Sequence, residues 1–241
     1  MEKRAVVTLC IGDKFDAFGR YSHAPMKAYA DKVGADFIKL DQRRVNFTAA
    51  KNFNPISCEK YQVYDVLGAY DRVLFLDTDI LITPHAPDIF NEVPVDKPGG
   101  VFEDFGTELK HRRGLIVKVQ EVLGNVGWIE GFMNSGVFIV SKQHRDIFRL
   151  YQKHGFYDGC YEQTNTNWYM HKAGFAPVSI DWRFNFMGIM RIYYGPVHRD
   201  AFFIHYAGTG GLFPWVPRVD QMRNDYEFFY EHRDVKSFEE M

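Results

Sequence analysis

Residues 72–83 read RVLFLDTDILIT, a Val-Leu-Phe-Leu run that closes on Asp77 and Asp79 and resumes as Ile-Leu-Ile. The run has the length of a buried strand and is short for a helix. Residues two apart on a strand share a face, so this spacing predicts that both carboxylates converge on one spot while Leu76, Thr78 and Ile80 face the other way. An unpaired buried carboxylate is costly and normally neutralises, pairs or holds a metal. Paired hard oxygens suit Mg2+ or Mn2+, and such a cation attracts a phosphate. A bare D-x-D is weak by itself, since chance supplies on the order of one per chain of this length at ordinary charged-residue usage. Its context adds weight: it is the only D-x-D present, and it closes a strand where open α/β sheets bind ligands. The plain alternative is a pair of acids in a tight turn after a strand.

Upstream, residues 5–11 read as a buried strand turned by Gly12-Asp13. Ser22 is placed to cap a helix in which Met26, Tyr29, Ala30 and Val33 recur at helical spacing, with Pro25 in its first turn and Gly34 as its stop. Residues 36–40 form a short strand, residues 41–55 a polar loop, and Ser57 opens a helix to about Ala69 with Tyr61, Tyr64 and Leu67 on one side. This β-α-β-α-β order predicts an α/β fold with a mainly parallel central sheet flanked by helices. The two acids then lie at its carboxyl edge.

Downstream of Pro84, a helical turn at Pro-Asp-Ile-Phe leads to a Pro-Gly-Gly break at Pro98. The break is read as the soft boundary between a 1–97 lobe and a 98–241 lobe of one domain. Val101-Phe102 reads as a strand ending in Glu103 and Asp104, and residues 107–123 as a helix broken by Gly114. Its His111-Arg112-Arg113 cluster is either a solvated face or a contact for phosphate or an anionic acceptor. A strand over 134–140, a helix to about His154, a helix over 162–171 stopped by Gly174, a late strand over 202–207 and an amphipathic tail over 219–233 follow. Met222, Tyr226 and Phe229 of that tail are spaced for packing.

Composition narrows the class. With 241 residues the chain can bury a full core. Lys and Arg number 29 against 31 Asp and Glu, so no basic field favours nucleic acid as a partner. Cys10, Cys58 and Cys160 are an odd, widely spaced set with no C-x-x-C; this argues against a disulfide framework or a zinc site and for a reducing, cytoplasmic setting. The opening MEKRAVVTLCIG reads as a first strand and not a signal peptide. No stretch approaches the ~18 apolar residues of a membrane helix, so any membrane contact would be peripheral. The Asn46-Phe47-Thr48 sequon reads as accidental. Aromatic residues make up 17%, which suits a sugar-stacking cleft, although such rings more often fill cores.

Four pieces recur in order: TLCIGDKF, EKYQVYDVLGAYDRVLFLDTDILI, FMNSGVFIV and HYAGTGGLFPW. Together, from residue 5 to about 216, they resemble GT-A fold glycosyltransferases, most nearly the glycogenin and galactosyltransferase-like family that uses UDP-sugars with retention. The resemblance implies that Thr8, Leu9 and Cys10 cradle the nucleotide through backbone groups and that Phe15 stacks on the base. Lys60 matches a basic position facing the donor. Asp77, with Thr78 beside it, would contact ribose and metal; Asp79 and His205 would complete the protein ligands of Mn2+ or Mg2+. Asn134 and Ser135 match sugar-contacting positions, and Glu162-Gln163 matches an acidic-Gln pair beside the reacting sugar. The implied partners are a nucleotide-sugar donor and a glycan or other hydroxyl acceptor. Two departures stand out. Phe213 precedes Pro214-Trp215 where the family often has Lys, so Arg218 or Arg112 is the candidate replacement cation, and the pair begins with Glu where Asp is commoner.

Some of this follows from the residues alone. His205 ends an apolar run and precedes Ala-Gly-Thr-Gly-Gly, so it can present imidazole to a cleft while Gly208 and its neighbours let backbone approach phosphate. It could equally be a hydrogen-bonded strand-end histidine. Asn134 could serve a turn, and Glu162 could be a first-turn acid favoured by the helix dipole. Two other functions compete. A haloacid-dehalogenase-type phosphatase also places D-x-D after an apolar strand, but it expects Thr or Val where Leu81 stands and usually carries the motif near the N-terminus. A non-catalytic nucleotide-sugar or glycan-binding module would have little need of intact Asp77, Asp79 and His205.

Overall fold

Alternation along two central strands sets the architecture. In β1 (Arg4–Leu9) and β3 (Arg72–Asp77), Ala5, Val7, Val73 and Phe75 point into one apolar layer, whereas Val6, Leu74 and Leu76 point into another. A sheet buried on both faces needs helices on both sides, and it has them. The first layer is closed by α2 (Val63–Ala69), α3 (Leu109–Leu123) and α5 (Glu162–Lys172), through residues such as Leu67, Ile116 and Trp168. The second is closed by α1 (Asp13–Lys32), through Met26, Tyr29 and Ala30. The computed structural model describes residues 2–45, 56–157, 159 and 161–238. The sequon at Asn46, Cys160 and most of the 41–55 loop lie outside the described residues.

Adding β2 (Ala35–Leu40), β5 (Gly99–Phe102), β6 (Met133–Ser141) and β7 (Val178–Ser179) gives a six-stranded sheet ordered β2-β1-β3-β6-β5-β7. Only β6 runs against the others, so the sheet is mainly parallel as expected. Two short strands, β4 (Ile80–Ile82) and β8 (Phe203–His205), pair antiparallel as a separate small sheet. Between β5 and the chain end lie α4 (Leu150–His154), α6 (Gly188–Tyr194) and α7 (Arg218–Tyr230). Among the described residues no helix is long and apolar enough to cross a membrane.

Several local expectations are corrected. The 72–83 run is not one strand: β3 ends at Asp77, Thr78 and Asp79 form a turn, and β4 starts the small sheet. Helix α1 starts at Asp13, with Asp13 and Asp16 in its first turn, so Ser22 and Pro25 lie inside it. Ser22 caps nothing; its hydroxyl donates to the Phe18 carbonyl at 3.3 Å. Gly99 and Gly100 are strand and not break, because a Cβ would lie 2.5 Å from Val93 at the first and 2.8 Å from Met133 at the second. Gly114 leaves α3 unbroken; one helical glycine costs only about 1 kcal/mol, and Leu115, Ile116 and Val119 are buried on either side of the next turn.

A third core lies under the small sheet, where Leu81, Ile204, Tyr206 and Met222 pack together. Asp225 of α7 anchors it, accepting from Tyr206 Oη at 2.8 Å, Arg199 Nε at 3.0 Å and His198 Nε2 at 3.2 Å. Burial alone would push the Asp225 carboxyl up, but His198, Arg199 and the Tyr206 hydroxyl hold it below the usual carboxylate range. A depressed folded-state pKa adds stability above the unfolded value of ~3.9 that is lost as pH falls through the folded value. We expect Asp225→Asn to lose about 3 kcal/mol at pH 7, measured by urea unfolding, with the gap to wild type closing on acidification. Equal stabilities at pH 7 would contradict this account.

Candidate active site

The carboxyl end of β3 is level with the end of β1, Leu9 pairing with Asp77. There the Thr78 hydroxyl donates to the Leu9 carbonyl. This bond directs Thr78 inward and leaves the flanking carboxylates on the other side of the turn. The backbone of Asp79 is held in turn, its carbonyl accepting from Tyr206 N–H at 3.0 Å. Ile80 pairs with His205 across the small sheet, which brings the imidazole to the same spot. Ligand-type atoms of Asp77, Asp79 and His205 all lie within 4.8 Å of one another. The convergence expected from strand alternation is therefore real but is made by a turn, so the motif is both a tight turn and a carboxylate cluster.

Each acid has its own cation. Lys60, on the 3-10 turn before α2, is 7% exposed, with Nζ 3.0 Å from Asp77 Oδ1 and 2.9 Å from Glu162 Oε1. Nζ also donates to the carbonyl and hydroxyl of Ser135, both at 3.2 Å. Burial alone would lower the Lys60 pKa, but Asp77 and Glu162 raise it above the ordinary lysine value, so the ammonium is permanent. Arg218, the first residue of α7, bonds Asp79 Oδ2 at 2.5 Å and the Tyr206 carbonyl at 2.6 Å. Burial would raise Asp79, yet His205 and Arg218 hold it below the usual carboxylate range. Burial, with Asp79 alongside, moves Asp77 upward against the pull of Lys60. Divergent values are what two adjacent acids in one site give.

A polar floor runs from these acids toward α3. Asn134 Nδ2 donates to Glu103 Oε2 at 3.1 Å and Gln163 Oε1 at 3.4 Å; Gln163 Nε2 donates to Glu103 Oε1 at 2.6 Å. Arg112 Nε lies 3.0 Å from Glu103 Oε1. Above the floor is a cleft of 590 Å3, within the usual range for small-molecule sites. Oxygens of Asp77 and Asp79 with one imidazole nitrogen form a donor set that fits Mn2+ or Mg2+.

Most residues singled out from the sequence meet here. Leu9, Phe15, Lys60, Asp77, Thr78, Asp79, Asn134, Ser135, Glu162, Gln163, His205 and Gly208 all line the cleft. Thr8 and Cys10 do not: Thr8 is fully buried, and the Cys10 N–H donates to the Leu40 carbonyl at 2.9 Å. The His111-Arg112-Arg113 cluster divides, with Arg112 on the cleft, Arg113 paired to Asp104 and Glu130, and His111 exposed near Glu108. Two residues, Glu103 and Asn185, were not assigned to the site from sequence, and Arg218, a candidate cation for the diphosphate, was not expected to pair with Asp79. Glu103 shows only as an acid ending a strand, the reach of Arg218 to Asp79 spans 139 residues, and Asn185 bears no motif. The one local signal for Asn185 is a polar residue in the aromatic run WRFNF.

No protein-family model matches the chain, and no curated protein matches it in sequence. Solved structures of glycosyltransferases share its fold, the GT-A type. The galactosyltransferase LgtC, in complex with donor and acceptor sugar analogs, aligns over 98% of this chain and 98% of its own with a TM-score of 0.60 and 15% identity. A glycosyltransferase involved in glycosylation of the major capsid of PBCV-1 aligns over 94% of this chain and 99% of its own, with TM-score 0.57 and 12% identity. The apo WbbM bifunctional glycosyltransferase aligns over 86% of this chain and 46% of its own, with TM-score 0.59 and 14% identity.

Proposed function

We propose that this chain is a metal-dependent glycosyltransferase that moves a sugar from a nucleotide-sugar donor, a UDP-sugar, to a hydroxyl of a glycan or other acceptor, with retention. The observation that carries the reading is the meeting of Asp77, Asp79 and His205 at the strand end, in one cleft with Glu162 and Gln163. The fold shared with LgtC, which binds donor and acceptor sugar analogs, supports it. Mn2+ or Mg2+ held by Asp77, Asp79 and His205 would neutralise the diphosphate leaving group. Phe15, half-buried in the first turn of α1, offers a ring to the base. Asn134, Gln163 and Glu103 present a fixed set of donors and acceptors to sugar hydroxyls. Lys60 keeps Glu162 and Asp77 together without leaving either charge unpaired.

In this reading residues 1–97 bear the nucleotide side of the site and residues 98–241 the sugar and acceptor side. A cytoplasmic setting accords with the free buried thiols Cys10 and Cys58, and nucleic acid is not a partner. Stripping metal with EDTA should abolish transfer and Mn2+ should restore it; full turnover by a metal-free sample would sink the reading. A thermal-shift screen of nucleotide sugars with Mn2+ present should favour UDP-sugars. Preference for a GDP- or CMP-sugar would displace the donor assignment. Release of phosphate from simple esters without an acceptor would point to the phosphatase chemistry.

A further inference from the structure

A single backbone N–H settles the tautomer of the histidine at this site. Gly136 stands where no side chain fits: a Cβ would lie 2.3 Å from His205 Cε1 and 3.0 Å from both Asn134 Oδ1 and Asp77 Oδ2. The Gly136 N–H therefore reaches Asn134 Oδ1, at 2.9 Å. A peptide N–H can only donate, so the Asn134 atom that meets it must be the oxygen. That same oxygen faces the Asn185 amide at 3.0 Å. Asn185 must then present its NH2 to Asn134 and its oxygen to His205 Nδ1, 2.8 Å away. An amide oxygen cannot donate, so Nδ1 carries a ring proton, and whenever the imidazole is neutral its lone pair lies on Nε2. Nε2 lies 3.4 Å from Asp79 Oδ1. In the neutral ring two acceptors face each other, an arrangement completed by either a proton or a metal cation between them. Asn185 is fully buried, and Asn134 and His205 nearly so, so water does not compete for these bonds.

We propose that Asn185 is a positioning residue: anchored through Asn134 by the Gly136 N–H, it locks His205 in the Nδ1–H tautomer and leaves Nε2 set as a ligand for a divalent cation beside Asp77 and Asp79. The tautomer follows from the hydrogen bonds alone, whereas the role of the cation rests on the function proposed above. Because Asn134 also donates to Glu103 and Gln163, the lock joins the metal-ligand side of the cleft to its polar floor.

The test begins with the metal-free wild type labelled with 15N-histidine, at a pH where imidazole is neutral. Long-range 1H–15N couplings should show His205 protonated on Nδ1. Protonation on Nε2 would overturn the proposal whatever the protein catalyses. Mn2+ binding, followed by EPR with the metal alone, then compares Asn185→Leu with Asn185→Asp, whose carboxyl oxygen still accepts from His205 Nδ1. The leucine variant should bind about 10- to 100-fold more weakly, the usual cost of losing a partner that orients a metal ligand, and its His205 should move to the Nε2–H form. The aspartate variant should stay within a few-fold of wild type and keep the Nδ1–H form. Wild-type affinity in the leucine variant, or equal loss in both, would refute the lock. Should the leucine variant fail to fold, the wild-type spectrum and the aspartate variant still decide. An Nδ1–H His205 in a wild type that binds no Mn2+ would uphold the lock while removing the metal-dependent function.

Discussion

Asp79→Asn should lose sugar transfer by at least about 100-fold while remaining folded. Even residues that only support a metal ligand cost 10- to 100-fold when changed, and Asp79 is itself one of the three groups that meet at the strand end. Asparagine keeps the shape and an oxygen to accept from Arg218, now 2.5 Å from Asp79 Oδ2, so the α7 contact survives in weaker form. What it removes is the negative charge that His205 and Arg218 keep ionised against burial. The variant should unfold within a few degrees of wild type and bind Mn2+ poorly by EPR. A wild-type rate in saturating Mn2+ would refute the assignment of Asp79 as a ligand.

Glu162→Gln should lower turnover about 100- to 1,000-fold, the scale of removing one preorganised electrostatic group from an active site, with little change in donor affinity. Glu162 begins α5, and its Oε1 accepts from Lys60 at 2.9 Å and from Ser135 Oγ at 2.7 Å. Glutamine retains an oxygen for both donors, so the cleft stays assembled and the lost quantity is charge. In the proposed mechanism that charge stabilises positive character at the anomeric carbon, or attacks it transiently, while Gln163 orients the sugar. Such an interaction is made mainly in the transition state, so it appears in kcat and not in KM. Product NMR should show retained configuration. Inversion would remove this mechanism and leave the fold untouched; unchanged turnover in the variant would reduce Glu162 to an acid that houses Lys60.

The parts of the fold legible from sequence were those governed by short-range rules. Strand alternation around Val73 to Leu76 and the helical spacing of Met26, Tyr29 and Ala30 correctly placed a mainly parallel sheet between helices. The misreadings came from residues whose local habit is outweighed by packing. Ser22 and Pro25 look like a helix start, yet the helix already runs from Asp13. Gly99 and Gly100 look like a break, yet they are small because Val93 and Met133 press against them. At the site, the D-x-D and the strand-end histidine were readable because each sits at a boundary between an apolar run and a turn. Asn185 and the Arg218 contact were not, because their roles exist only once segments 20 and 139 residues apart are folded together.

The break between β3 and β4 has a mechanical consequence. Asp77 is the last residue of β3 in the large sheet, while Asp79 leads into the small sheet that also supplies His205. A cation held by Asp77, Asp79 and His205 would therefore sit on a seam, with ligands sewn from both fabrics. An ion there would act as a rivet between two layers that the Asn134–Asn185–His205 hydrogen-bond chain also joins. By linkage, occupancy at a hundred times its dissociation constant would add about 2.7 kcal/mol to the resistance of the folded chain to unfolding. Holding the chemistry and fastening the architecture would then be one and the same event.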